Sequence, residues 1–295
     1  MTVLDSAARR LHAAGIASPR LEARLLLAYA LGLTQEDVIA GNYALDAQSR
    51  ERFEAALSRR SAREPLAYIL GKREFWSIEF AVGSGVLVPR PESETLVEAA
   101  LKCFPNRDSP LDVLDLGTGS GCLLLAFLSE RPRAKGVGVD ISAEALAFTE
   151  INTKILGFQS RVELLCCDWA EAPQRTFDVV FVNPPYIGEN AIEVLDADVA
   201  CYEPRLALSG GADGLDAYRK IAAVLPSRLK EGGLAFVELG LGQLEAVTGL
   251  FQTAGLEVNG TFYDLASIPR CLVARGAQFA GHWPKKALEM ETGSG

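Results

Sequence analysis

Asn183-Pro184-Pro185-Tyr186 sets a carboxamide beside a proline carbonyl, directly after the apolar run Phe177-Asp178-Val179-Val180-Phe181-Val182. Such a run reads as a buried parallel strand. Two consecutive prolines, which have no N–H to give a sheet ladder, end it. The Asn183 side-chain oxygen and the Pro184 carbonyl are two closely spaced acceptors. Together they can hold both N–H bonds of one planar NH2 group and aim its otherwise delocalised lone pair at an electrophile. No base is required if the alkylated, positively charged nitrogen loses its proton to water. Tyr186 offers a ring face to a flat substrate group or to a cationic methyl donor. The competing reading is an ordinary Pro-Pro turn at a strand end, with Tyr186 packed in the core.

In open α/β sheets ligands gather at the carboxyl ends of strands, and three more predicted strand ends carry suitable groups. Leu111 to Leu116 runs into Gly117-Thr118-Gly119-Ser120-Gly121 and then into the apolar helical run Leu123 to Leu128. The order is strand, glycine turn, helix, and the glycines let backbone approach a ligand closely. The spacing is G-x-G-x-G with Cys122 following, whereas a dinucleotide fingerprint needs G-x-G-x-x-G, so a nicotinamide-dependent dehydrogenase is a distant alternative. Asp115 can pair with a cationic amino-acid head group. The strand Lys135 to Asp140 ends in a carboxylate suited to a ribose diol. The strand Arg161 to Cys167 ends in Asp168, an acceptor for an adenine amino group, and Trp169, a cover for the ring. Each has a bland counterpart, since strand-end Asp residues cap helices and Trp is often core.

These four strand ends together resemble a class I S-adenosylmethionine-dependent methyltransferase acting on planar NH2 groups. The stretches Arg63 to Gly71, Val86-Leu87-Val88-Pro89-Arg90-Pro91-Glu92-Ser93-Glu94 and Glu203-Pro204-Arg205-Leu206-Ala207-Leu208 narrow it. They resemble the HemK-like peptide chain release factor glutamine methyltransferases, from the N-terminus to about Arg275. The resemblance implies a seven-stranded, mostly parallel Rossmann-like sheet with a small N-terminal helical domain. It implies methyl transfer from S-adenosyl-L-methionine to the glutamine amide of the Gly-Gly-Gln motif in class 1 release factors. The implied cofactor site is Gly117 to Gly121, Asp140 and Trp169. The implied substrate site is Asn183, Pro184, Pro185 and Tyr186, with Leu87 flanking the glutamine methylenes.

Composition limits the alternatives. The chain has 295 residues, 49% of them hydrophobic, enough for two domains. No stretch approaches the roughly 20 apolar residues of a membrane span. Met1 to Ser6 lacks the basic end and apolar core of a signal peptide, and a cytoplasmic location is expected. Six cysteines, at 103, 122, 166, 167, 201 and 271, form no C-x-x-C pair and read as reduced structural thiols. His12 and His282 are the only histidines, which supports neither a histidine-based catalytic site nor a zinc centre. The net charge is −9, and because residues 1–72 carry +2, the rest carries −11. Phosphate-led binding needs clustered Lys and Arg, so a protein substrate is favoured over a nucleic-acid amine, the runner-up, and direct nucleic-acid binding is not expected. A non-catalytic cofactor-binding scaffold would have no use for the Asn183 and Pro184 acceptors.

The elements that must position these residues follow from patterning. Residues 1–72 read as a helical bundle, with Leu21, Leu25, Ala28 and Leu31 at helical spacing and helix starts at Thr34 and Asp46. Its role is either packing or, as the resemblance implies, recognition of the release factor. Residues 73–91 read as a β-hairpin linker turning at Gly83-Ser84-Gly85, with Arg90 paired to Glu92 or Glu94. Residues 92–275 form the methyltransferase domain, closed by a terminal hairpin whose last strand runs antiparallel. Ile187 to Gly214 is long enough to be a lid or substrate wall. Residues 276–295 show no core pattern and read as a frayed tail.

Overall fold

The computed structural model describes residues 2–276. In chain order the helices and strands are α1 (Val3–Ala13), α2 (Pro19–Leu31), α3 (Gln35–Ala40), α4 (Ala47–Ser61), α5 (Leu66–Leu70), β1 (Lys72–Phe75), β2 (Ile78–Ala81), α6 (Glu94–Cys103), β3 (Asp112–Leu116), α7 (Cys122–Glu130) and β4 (Lys135–Asp140). They continue with α8 (Ala143–Ile155), β5 (Val162–Cys166), β6 (Phe177–Val182), α9 (Glu189–Ile192), α10 (Ala197–Tyr202), α11 (Asp216–Val224), β7 (Leu229–Glu238), α12 (Leu244–Thr253), β8 (Leu256–Tyr263) and β9 (Pro269–Gly276). The chain divides into two compact units. One takes the described residues up to Lys72 with Val82–Ser84 and Leu195–Tyr202; the other takes Arg73–Ala81, Gly85–Val194 and the described residues from Glu203.

The helical unit is built on capped helices. Thr34 and Asp37 form a reciprocal capping box at the start of α3, and the Asp46 carboxylate accepts from the Ser49 N–H at 2.7 Å at the start of α4. The buried face of α2 differs from the predicted one: Ala23, Leu26, Leu27, Ala28 and Ala30 are buried, whereas Leu21 is exposed. Leu25-Leu26-Leu27 is apolar on every side, so helical spacing alone cannot choose a face. Packing against α1 and α4 decides it. Arg60, itself buried, pairs with Glu22 on α2 and, through Nη1 at 2.7 Å, with Asp198.

The second unit is a seven-stranded sheet in the order β5-β4-β3-β6-β7-β9-β8. β3 to β7 run parallel, and β9 lies antiparallel between β7 and β8, as the terminal hairpin predicts. Side chains of the central strands alternate between two cores, as strand pleating requires. Val113, Val179, Phe181 and Phe236 join α6 and α7 on one face. Leu114, Val180, Val182 and Val237 join α11 and α12 on the other.

The predicted linker hairpin is shifted. Its two strands are β1 and β2, and the turn is Trp76-Ser77, both at positive φ (54° and 56°). The Gly83 to Gly85 stretch is not the turn, and residues 86–88 form no strand. Glycine is the usual marker of such a turn; here the Trp76 N–H donates to Glu94 Oε1 at 2.8 Å and the indole Nε1–H to Glu130 at 3.1 Å, anchoring the first of the two non-glycine turn residues. At the other end β9 runs through Gly276. The remainder of the predicted tail, 277–295, lies outside the described residues.

Candidate active site

Strand register places the site. Leu116 at the end of β3 faces Val139 on one side and Val182 on the other, and Val182 faces Val237. The residues that follow, Asp140, Gly117, Asn183 and Glu238, therefore form one row across four parallel strands at their carboxyl ends. β3 and β6 also mark the switch point, where the chain leaves one half of the sheet and returns on the other, the place at which such sheets bind ligands. A cavity of about 430 Å³ opens there, lined entirely by residues of the second unit.

The glycine turn is held from both sides. The Gly117 and Thr118 N–H groups donate to the Val139 carbonyl at 2.8 and 2.9 Å. Thr149 on α8 donates to the Gly119 carbonyl at 2.7 Å, and Asn152 Nδ2 donates to that of Ser120 at 2.8 Å. Gly117 has φ +82°, and a Cβ there would sit 3.6 Å from the Trp169 indole nitrogen, so glycine keeps the space between turn and ring open. Gly121 has φ +81°, and a Cβ would lie 2.7 Å from Thr149 Cγ2.

Of the predicted residues, Leu87, Gly117, Thr118, Gly119, Ser120, Asp140, Asp168, Trp169, Asn183 and Pro185 line the cavity. Asp140 accepts the Gly119 N–H at Oδ2 and the Ser142 N–H at Oδ1, both at 2.9 Å. Burial raises its pKa against these backbone donors. Each oxygen keeps a lone pair for a further donor. Asp168 caps a short 3-10 turn through the Ala170 N–H at 3.0 Å, so its capping reading holds alongside its place on the cavity wall.

Four predicted residues, Asp115, Gly121, Pro184 and Tyr186, do not line the cavity. Asp115 is buried beneath the turn, with Oδ2 accepting from the Thr118 hydroxyl at 2.7 Å and Oδ1 without a hydrogen-bond partner. Burial pushes its carboxyl up to about 7. Gly121 caps α7. Pro184 is buried between two lining residues. Tyr186 packs against the second core and donates its hydroxyl to Glu238 Oε1 at 3.1 Å.

Several contributors escape sequence reasoning. Arg90 pairs with neither Glu92 nor Glu94; Nη2 donates to Glu203 Oε1 at 2.6 Å. The buried Glu203 also accepts the Val88 N–H, so one carboxylate holds the segment that follows Leu87 at two points. The segment from Pro204 contributes Leu206, Ala207 and Ser209 to the cavity, as the predicted wall requires. Glu238, Ser93 and Asn183 form a chain: Ser93 donates to Glu238 Oε2, and Asn183 Nδ2 donates to Ser93 Oγ at 3.3 Å. Burial raises the Glu238 pKa, opposed by its bonds from Ser93 and Tyr186. The available signal was a carboxylate ending the apolar strand Leu234 to Glu238, the same pattern that singled out Asp140.

A switch-point cavity with a glycine turn and a strand-end carboxylate is a Rossmann-like cofactor site, and the match of residues 107–226 to a family described as "Methyltransferase domain" makes it that of a methyltransferase. A methyltransferase structure from Pyrococcus furiosus shares the fold, with TM-score 0.50 and 15% identity over 75% of this chain and 96% of that one. The family described as "PrmC N-terminal domain" matches residues 2–71. The release factor glutamine methyltransferase of Rhodospirillum rubrum is 43% identical over 274 residues, covering 92% of this chain and 84% of that protein. That of Caulobacter vibrioides is 44% identical over 266 residues, covering 90% and 92%. The chain belongs to the release factor glutamine methyltransferase family.

Proposed function

We propose that the protein methylates the side-chain amide nitrogen of the glutamine in the Gly-Gly-Gln motif of class 1 peptide chain release factors. S-adenosyl-L-methionine, as methyl donor, supplies an electrophilic sulfonium-bound methyl group. The observation that carries the reading is the single cavity shared by the Gly117 to Gly121 turn, Asp140, Trp169, Leu87 and Asn183. The residues present fit that cofactor. The open face of the turn beside Trp169 leaves room for it, the spare lone pairs of Asp140 suit a ribose diol, and Asp168 with Trp169 suits an adenine.

The chain's own residues position the nucleophile. Asn183 Oδ1, on the cavity wall, accepts one N–H bond of the glutamine amide, and the carbonyl of Pro184, buried between the lining Asn183 and Pro185, is assigned the other, while Leu87 packs on its methylenes. With the donor held by the glycine turn, Asp140 and Trp169, these contacts would aim the amide nitrogen at its methyl group. The methylated nitrogen then releases a proton to water. Catalysis by orientation and exclusion of water asks for no basic side chain. Tyr186 acts behind this set, holding Glu238.

The acidic balance of the chain favours a protein partner, so nucleic acid is not assigned as a direct ligand. Among the described residues no helix is long and apolar enough to cross a membrane. A release-factor substrate supports a cytoplasmic location. Residues 1–72 are assigned to release-factor recognition and 92–275 to catalysis, joined by 73–91. The test is transfer of labelled methyl to a purified class 1 release factor and to a copy with the motif glutamine changed to alanine. Label on the intact factor alone is the expected result; label on both or neither refutes the reading.

A further inference from the structure

Asn183 can serve as an acceptor only if its carboxamide is turned the right way. The two ends of the group are nearly equal in size, and presenting NH2 to the substrate would set donor against donor. The surrounding hydrogen bonds choose between the two. Two hydroxyls converge on Glu238: Tyr186 at Oε1 and Ser93 at Oε2. With a hydroxyl donor on each of its oxygens, Glu238 accepts as the ionised carboxylate, and the single Ser93 proton is committed to it. Ser93 Oγ can then only accept from Asn183, which requires Nδ2 on that side, as found at 3.3 Å. The remaining atom, Oδ1, is left for the cavity that Ser93 and Asn183 both line.

We infer that Ser93 and Glu238 are positioning residues that fix the Asn183 carboxamide with its oxygen toward the substrate amide, a role that rests on the proposed function. The direction of the relay is set at its buried end. Glu238 is 2% exposed and lies on β7 beside β6, whereas Ser93 is 2% exposed and precedes α6. Its surroundings are rigid: the Tyr218 hydroxyl reaches the Glu238 carbonyl at 2.9 Å, and Gln243 Nε2 donates to the Tyr186 carbonyl at 3.0 Å. The backbone on both sides of the relay is therefore held independently of the Ser93 hydroxyl. Removing that hydroxyl frees the carboxamide to rotate without dismantling the strand ends.

Glu238→Gln tests polarity rather than shape. A glutamine can donate to Ser93, which would then donate to Asn183 and turn NH2 toward the substrate. The measurement is steady-state methyl transfer to the release factor, with cofactor affinity by calorimetry, for the unaltered enzyme, Ser93→Ala, Ser93→Thr, Glu238→Gln and the Ser93→Ala/Glu238→Gln double variant. Ser93→Ala should lower kcat about 10- to 100-fold while KM and cofactor Kd stay within about threefold, since orientation and not binding is lost. Ser93→Thr, which keeps the hydroxyl, should recover most of the rate. Glu238→Gln should lose at least as much as Ser93→Ala, and the double variant should be no worse than Glu238→Gln, because the two act through one path. A Ser93→Ala kcat within about twofold of the unaltered enzyme, or independent losses that multiply in the double variant, would overturn the relay. Should Glu238→Gln fail to fold, the Ser93→Ala and Ser93→Thr pair decides alone. Absence of transfer by the unaltered enzyme would instead remove the proposed function, and the relay with it.

Discussion

Arg90 and Glu203, 113 residues apart, meet at 2.6 Å, and Glu203 also accepts the Val88 N–H. The pair secures the segment carrying Leu87 against the segment that leads into Leu206. Removing Arg90 leaves the buried Glu203 without that guanidinium, while Arg90 itself is about one-third exposed. Arg90→Ala is expected to destabilise the protein by about 1–3 kcal/mol and to raise KM for the release factor more than it lowers kcat. Thermal denaturation and steady-state kinetics check this; an unchanged KM would show that the wall does not depend on the pair.

Asn183 and Asp140 stand in the same row of strand ends but serve different partners. Asn183→Ala should abolish detectable transfer with cofactor affinity preserved, whereas Asp140→Ala should weaken cofactor affinity by about 1–3 kcal/mol through loss of charge-assisted hydrogen bonds. Calorimetric titration with S-adenosyl-L-methionine separates them. Normal turnover in the first variant, or normal affinity in the second, contradicts the assignment.

Gly121 is fixed by Thr149 as much as by its own backbone. A Cβ at 121 would lie 2.7 Å from Thr149 Cγ2 at φ +81°. Gly121→Ala should cost about 2–4 kcal/mol, combining left-handed strain with overpacking. Thr149→Ser removes that methyl while retaining the hydroxyl that bonds the Gly119 carbonyl. Adding it should recover part of the loss in melting temperature; no recovery would place the strain elsewhere.

Asp115 gives a signed pH dependence. Its ordinary pKa of 3.8 is pushed up to about 7 by burial, so the folded chain holds this proton more tightly than the unfolded one. The group's contribution to stability is therefore complete below pH 3.8 and is lost as pH rises through about 7. Asp115→Asn removes the titration and keeps an acceptor for Thr118. In the absence of cofactor, the melting temperature of the unaltered protein should fall relative to that variant by several degrees between about pH 5 and pH 8. A constant difference across that range would mean that the carboxyl does not titrate there.

Local residue order was sufficient for much of this protein. Proline pairs end strands, glycine turns precede helices, and apolar runs bury themselves, so the sheet, the N-terminal helices and the strand-end residues Gly117, Asp140 and Asn183 were legible before any contact was known. These features depend on backbone chemistry within a few residues. The true hairpin turn was not legible, because Trp76, its first residue at positive φ, is anchored by Glu94 and Glu130, which lie far along the chain. Nor was the buried face of α2, where Leu25, Leu26 and Leu27 are equally apolar. Only tertiary structure set Leu116 against Val182 and Val182 against Val237, bringing the glycine turn, Asn183 and Glu238 into one row. It alone gave Arg90 its partner and joined Ser93 to Asn183. Hydrogen bonds between distant segments depend on strand register and helix placement, and those are decided by the packing of the whole core rather than by neighbours in the chain.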